Sequence, residues 1–172
     1  MSLKGKRIAI LAGPEYEDLE LHYPHLRLME EGAEVKVIAV KKEIVRGKQG
    51  LSVMADLPIG EARSRDFDCV VIPGGWAPDR LRRSTEVLDF VKDLHNEGKI
   101  IAAICHGPQV LISAGILRGM RITCVSAVKD DVINAGAEYE DVPVIRDGNM
   151  ITSRVPRDLP FFCREIIEAL SV

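Results

Sequence analysis

The chain has 172 residues, of which 47% are hydrophobic and 28% charged, and its formal net charge at pH 7 is −3. This composition predicts a single domain over 1–172 that buries its own core without disulfide bonds, and it excludes long disordered or low-complexity regions. The weak negative charge and an aromatic content of 5% argue against a nucleic-acid-binding surface.

The distribution of apolar residues predicts strands and helices that alternate along the chain. In the first half we predict strands at 7–12, 34–40 and 67–72, helices at 18–31 and 83–96, and a small hairpin over 44–53. In the second half we predict strands at 99–104, 121–125, 142–146 and 150–152 and helices at 108–114, 129–135 and 158–170. The strands are almost continuously apolar, which favours an α/β fold with a mostly parallel sheet covered on both faces.

The four cysteines and the N-terminal sequence indicate the compartment. The cysteines are Cys69, Cys105, Cys124 and Cys163, and no two of them form a C-x-x-C pair. We therefore expect no bound metal and no other cofactor. The first residues lead directly into a strand, and no apolar run is long enough to span a bilayer. A cytoplasmic protein with reduced thiols and no membrane association is expected.

The segment 100–108 is the most informative part of the chain. An apolar strand ends at Cys105, and Pro108 begins a helix directly afterwards. A thiol on such a turn projects from the edge of the sheet, where main-chain N–H groups favour its thiolate and face an oxyanion formed beside it. The alternative is a buried cysteine that only packs at the end of a strand.

Three loops are expected to meet at the carboxyl edge of this sheet, because parallel strands end on the same side. They carry Glu17, the pair Gly74 and Gly75, and Cys105 with His106. The N–H groups of Gly75 and His106 are candidates for an oxyanion hole, although two glycines can also form only a tight turn. Glu17 is a candidate to lie against the sulfur as a protonated proton donor, or it is only a carboxylate at a helix N-terminus.

The position of His106 directly after the thiol limits what it can do. Adjacent side chains on a sharp turn usually diverge, so a direct pairing with Cys105 needs a special geometry and a carboxylate that orients the imidazole. No histidine follows residue 106. This absence disfavours a triad with a distant base after the cysteine nucleophile.

Six motifs make the chain similar to the ThiJ/PfpI superfamily over nearly its whole length, and most similar to the PfpI-like intracellular protease and deglycase branch. The motifs lie at 15–20, 47–50, 73–79, 103–108, 130–136 and 147–149. The resemblance implies a flavodoxin-like three-layer sandwich related to class I glutamine amidotransferases. It also implies that Cys105 is the nucleophile, that Glu17 contacts its sulfur, that His106 lies beside it, and that Gly75 helps to bind an oxyanion.

The same resemblance implies a homo-oligomer, either a dimer or a hexamer. In that branch a glutamate from a neighbouring subunit orients the histidine, and this chain has Asp79 at that position. Relatives often carry an aromatic residue at the position of Val125, so the chain is expected to bind a different substrate.

Three functions are compatible with these residues. The first is a cofactor-free enzyme of glyoxalase III or deglycase type, in which the Cys105 thiolate adds to a small aldehyde or to its adduct on protein. The second is a peptidase that uses Cys105, His106 and a neighbouring Asp79 against a peptide. The third is an oxidant sensor or chaperone-like protein whose Cys105 is oxidised to sulfinic acid. Cys124 is expected beside the pocket, where a plain strand cysteine is favoured over a resolving thiol.

Overall fold

The computed structural model describes residues 2–171 and contains a seven-stranded sheet flanked by helices. The elements up to the middle of the chain are β1 (Arg7–Leu11), α1 (Asp18–Glu30), β2 (Glu34–Ala39), β3 (Ile44–Arg46), β4 (Ser52–Met54), β5 (Leu57–Pro58), β6 (Cys69–Ile72), α2 (Ala77–Leu81) and α3 (Thr85–Asn96). The later elements are β7 (Ile100–Ile104), α4 (Pro108–Ala114), β8 (Arg121–Ile122), α5 (Lys129–Asn134), β9 (Glu138–Tyr139), β10 (Val144–Asp147), β11 (Met150–Ser153) and α6 (Leu159–Leu170).

The sheet has the strand order β10-β11-β7-β6-β1-β2-β5. Neighbouring strands of this sheet are parallel except at one edge, where β10 runs antiparallel to β11. Helices α1 and α6 pack together on one face, and α3 and α4 pack together on the other. The predicted α/β class with a mostly parallel, doubly covered sheet is confirmed.

The register of the central strands places three loops side by side. Ile10 of β1 is opposite Val71 of β6, and Val71 is opposite Ala102 of β7. The loops that follow these adjacent strands therefore leave the sheet at the same edge. Every residue of β6 and β7 is buried, as expected for strands that are covered on both faces.

Two parts of the chain differ from the sequence prediction. The strand predicted over 121–125 pairs only at Arg121–Ile122, in a separate two-stranded sheet with β9. Its continuation leaves that sheet, because Thr123 N–H donates to Thr152 Oγ1 and Val125 N–H donates to the carbonyl of Cys105. The short helix α2 was not predicted. No helix between residues 2 and 171 has the length and apolarity needed to cross a membrane.

Candidate active site

Cys105 lies on a strained turn between β7 and α4. Its φ angle is +62°, in the left-handed region that residues with a side chain seldom occupy. The turn is held on both sides, because Cys105 N–H donates to the Ser153 carbonyl at 3.0 Å and the Cys105 carbonyl accepts from Val125 N–H at 3.3 Å. A Cβ at Gly107 would lie 2.4 Å from the Ile72 carbonyl oxygen, so this close approach requires glycine. The predicted strand-to-helix turn is present.

The two glycines after β6 bring main chain against the sulfur. A Cβ added at Gly74 would lie 2.8 Å from Cys105 Cβ, and Gly75 has a φ angle of +74°. The N–H groups of Gly75 and His106 both lie beside Cys105 Sγ, where each acts to lower the pKa of the thiol. The structure therefore brings together the two donors that the sequence predicted for an oxyanion hole.

The carboxyl group beside the thiol belongs to Glu20, which is fully buried on α1. Its Oε2 accepts a hydrogen bond from Gly74 N–H at 2.7 Å, whereas Oε1 has no hydrogen-bond partner among the described residues. A Cβ added at Gly74 would lie 2.6 Å from Glu20 Oε2 and 2.8 Å from Cys105 Cβ, so the carboxyl and the thiol are neighbours and each shifts the pKa of the other. Burial raises the pKa of Glu20 to about 8, so the carboxyl carries a proton at neutral pH.

This arrangement corrects the sequence prediction, which assigned the contact with the sulfur to Glu17. Glu17 precedes the first turn of α1, and its Oε2 pairs with Lys48 Nζ at 3.4 Å. Glu20 lies almost one turn later, on the buried side of the helix that also presents Leu21 and Pro24. A glutamate on the buried side of a helix is rare enough to mark a functional group, but only the structure shows which side of α1 is buried.

The buried carboxyl and thiol control each other's charge. Burial, followed by the neighbouring Glu20, raises the pKa of Cys105, and the N–H groups of His106 and Gly75 act in the opposite direction. These donors favour the thiolate as predicted, but the net direction is upward. Because two adjacent negative charges are costly in a buried site, the two groups do not ionise together, and a reactive thiolate requires that Glu20 hold the remaining proton of the pair.

The side chain of His106 contacts the sulfur of Cys105 directly, although adjacent side chains on a sharp turn usually point away from each other. Its Nδ1 lies 3.4 Å from Cys105 Sγ. Desolvation lowers the pKa of His106, and the nearby Lys48 ammonium lowers it further. The imidazole is therefore neutral near pH 7 and can exchange a proton with a group bound at the sulfur.

A clamp around Asp18 holds Lys48 at the site. Asp18 is buried, and its carboxylate accepts hydrogen bonds from Gln49 N–H at 2.7 Å and Leu51 N–H at 2.8 Å. A Cβ at Gly47 would lie 2.5 Å from this carboxylate, so the tight loop requires glycine there. The motif at 47–50 thus places one ammonium beside Glu17.

Asp79 lies apart from this cluster, on the surface of α2. Its side chain is exposed and forms an ion pair with Arg83, one helical turn further along. The structure describes one chain, and within it Asp79 is on a surface that a second copy could reach.

Cys105 differs from the other three cysteines in exposure. Cys69, Cys124 and Cys163 are buried free thiols, and burial raises the pKa of each one. Cys105 is also free but is partly exposed. Within residues 2–171, no cluster of three or more His, Cys, Asp or Glu side chains is arranged to hold a metal ion.

Comparisons with known proteins agree with this site. The profile of the DJ-1/PfpI family matches residues 6–169. A Pyrococcus abyssi protein named as a deglycase is 47% identical over 95% of this chain and 99% of its own length. A Bacillus subtilis protein, YraA, named as a candidate cysteine protease, is 41% identical over 96% of this chain and 98% of its own length. A crystal structure from Anabaena variabilis contains DJ-1/ThiJ/PfpI-like and ferritin-like domains. It matches with a TM-score of 0.94 and 45% identity, over 96% of this chain and 48% of that one.

Proposed function

The chain belongs to the DJ-1/PfpI family, and on that premise we propose that it is a cofactor-free enzyme that uses the Cys105 thiolate on small 2-oxoaldehydes or their protein adducts. The observation that carries the proposal is the buried Glu20 carboxyl, held by Gly74 N–H against the thiol. A buried acid with a pKa of about 8 can donate and recover a proton near neutral pH. Named deglycases among the relatives support the same chemistry.

The first step forms a carbon–sulfur bond. The Cys105 thiolate adds to the aldehyde carbon, and the carbonyl oxygen becomes an oxyanion that the N–H groups of Gly75 and His106 stabilise. Glu20 then gives its proton to this oxygen, which completes a hemithioacetal and leaves Glu20 as a carboxylate.

The later steps move two protons and add one water. The Glu20 carboxylate removes the proton from the former aldehyde carbon and returns it to the neighbouring carbon, while the hydroxyl proton of the first carbon passes to the oxygen of the second. The first carbon is thereby oxidised and the second is reduced. The product is a thioester with Cys105, which water hydrolyses to a 2-hydroxy acid and the free thiol. Methylglyoxal plus water thus gives lactic acid, and the electron balance needs no external oxidant or reductant.

Lactate formation from methylglyoxal without glutathione tests this proposal. We expect the wild type to form lactate and Cys105→Ser to lose at least about 1000-fold in rate, because a hydroxyl at this site is a much weaker nucleophile. The matched control is Cys124→Ser, which removes a buried thiol outside the contact with Glu20. Equal rates for the wild type and Cys105→Ser would contradict the proposal.

A peroxide-induced mass gain at Cys105 without any turnover would instead favour the sensor function.

A peptidase is the second candidate, supported by the 3.4 Å contact between His106 Nδ1 and Cys105 Sγ. In this reaction His106 takes the proton of the thiol, the resulting thiolate attacks a peptide carbonyl, His106 gives that proton to the leaving amine, and water hydrolyses the thioester. The candidate requires a homo-oligomer in which Asp79 of a neighbouring copy orients the imidazole. We expect Asp79→Asn to lower cleavage of a fluorogenic peptide at least about tenfold, because the imidazole loses its orienting carboxylate.

Glu86→Gln is the control for Asp79, since it removes an exposed carboxylate from the neighbouring helix α3. Light scattering measures the oligomeric state of each variant in the same buffer. A monomeric protein that cleaves peptide, or full cleavage by Asp79→Asn, would exclude a role for Asp79 across an interface.

A further inference from the structure

Trp76 presents a large apolar surface at the mouth of the site. It is the only tryptophan of the chain, and 57% of it is exposed. It directly follows Gly75, whose N–H faces the sulfur. Its own N–H donates to the Glu15 carbonyl at 2.9 Å, and α2 begins at the next residue. These contacts fix the main chain from which the indole projects, next to the loop that carries Gly75.

The imidazole of His106 lies between the indole of Trp76 and the sulfur of Cys105. The ring centroids of Trp76 and His106 are 5.9 Å apart and the rings are tilted by 46°, while His106 contacts Cys105 Sγ. A substrate whose carbonyl carbon is bonded to this sulfur must extend its substituent past these side chains. The indole face offers that substituent an apolar surface.

The charged side chains at the mouth of the site form ion pairs with one another. Glu17 pairs with Lys48 at 3.4 Å, and Glu15 pairs with Arg80 at 3.4 Å. These pairs offset each other's charge and give no preference for an anionic or a cationic substituent. More than half of Trp76 stays exposed beside these pairs, which leaves it accessible to a substituent of the substrate.

We propose that Trp76 determines substrate specificity by stacking on a flat substituent, so that the enzyme favours aryl over alkyl 2-oxoaldehydes. The inference rests on the proposed aldehyde chemistry. It assigns to Trp76 the contact with the unreactive substituent of the substrate.

Competing substrates test this proposal. Phenylglyoxal gives mandelate and methylglyoxal gives lactate, so the ratio of their kcat/KM values isolates the contribution of the substituent. We expect this ratio to fall about three- to tenfold in Trp76→Leu, which keeps apolar bulk but loses the ring, and to fall less in Trp76→Phe. Phe161→Leu removes an exposed aromatic ring from α6 and should leave the ratio unchanged. An unchanged ratio in Trp76→Leu would overturn the proposal. Cys105→Ser serves as the blank for phenylglyoxal that is consumed by arginine side chains.

The intrinsic fluorescence of this single tryptophan provides a test that does not depend on turnover. We expect mandelate to quench the emission at lower concentration than lactate in Cys105→Ser. Equal quenching by the two acids would overturn the proposal. If neither mandelate nor lactate is formed by the wild type, the aldehyde function fails while the fluorescence result still reports on the indole. If Trp76→Leu changes the mass of the assembly, Trp76 is a subunit contact and the specificity role is excluded.

Discussion

Replacement of Glu20 by glutamine is expected to lower kcat for aldehyde conversion at least about 100-fold, because the variant lacks the proton that the oxyanion must receive. Glutamine can still accept the hydrogen bond from Gly74 N–H, which preserves the geometry around the thiol. Initial rates of lactate formation measure the effect. The matched control is Glu17→Gln, which removes the carboxylate that pairs with Lys48 and should cost less than about tenfold. A larger loss in Glu17→Gln than in Glu20→Gln would restore the sequence prediction.

The stability of the same Glu20 variant separates a chemical role from a structural one. The ordinary pKa of a glutamate is 4.5, and in the folded protein that of Glu20 is about 8. Between these values the folded protein keeps a proton that the unfolded chain has released, so the Glu20 contribution to stability falls as the pH rises. Glu20→Gln lacks this ionisation. Its melting temperature should therefore exceed that of the wild type near pH 8, and the difference should shrink towards pH 4.5.

The loss of activity together with a gain in stability is the expected result for Glu20→Gln. A variant that loses activity and also melts at a lower temperature near pH 8 would indicate that Glu20 serves mainly to support the fold. The wild-type rate should rise as the pH approaches about 8 and then level off, because the thiolate beside protonated Glu20 belongs to the singly deprotonated form of the pair, which becomes populated through that pH. A rate that continues to increase well above this pH would exclude protonated Glu20 as the acid.

Substitution of Gly74 by alanine is the second change with a large expected effect. The added Cβ would lie 2.6 Å from Glu20 Oε2, 2.8 Å from Cys105 Cβ and 2.9 Å from His106 N. All three atoms belong to the site, and Glu20 has no free space because it is fully buried. We expect a loss of about 1–3 kcal/mol in the free energy of unfolding, as is usual for an overpacked interior. We also expect at least about 100-fold lower turnover, because the acid and the nucleophile are displaced together.

Gly60→Ala is the matched control for Gly74. Its new Cβ would be 3.5 Å from Glu86 Oε1, which is an ordinary van der Waals contact. Urea unfolding and alkylation of Cys105 by iodoacetamide, measured on both variants, report stability and the environment of the thiol. Wild-type turnover in Gly74→Ala would show that the close approach of this loop to the sulfur is unimportant for the chemistry.

Because Asp79 is exposed on the surface of α2, the role proposed for it in the peptidase needs an assembly rather than a single chain. Its carboxylate pairs with Arg83 on its own helix and can exchange this partner at small cost, since surface ion pairs contribute about 0–1 kcal/mol. Any stable contact with a neighbouring imidazole would therefore be decided by how the two copies pack. Sequence motifs identify the residue, whereas the arrangement of the subunits determines its partner.

Much of the framework could be predicted from local patterns. The apolar runs at 67–72 and 99–104 and the helical spacing after residue 18 predicted the central strands and α1, and parallel topology predicted that the loops with Gly75 and Cys105 would meet. These inferences succeed because burial on both faces of a sheet leaves a continuous apolar run. Topology then places the carboxyl ends of such strands at one edge.

The glutamate that lies beside Cys105 was identified only by the tertiary structure. Glu17 and Glu20 lie near the start of the same helix, and local sequence does not say which of them turns toward Cys105. The rotation of α1 against the sheet directs Glu20 to Gly74 N–H and the thiol, while the clamped loop at 47–50 gives Glu17 a partner in Lys48. Residue type and spacing therefore determined the fold and the candidate nucleophile. Long-range packing decided which carboxyl lies beside the sulfur, because the approach of a carboxyl to a thiol depends on how a helix is rotated and held.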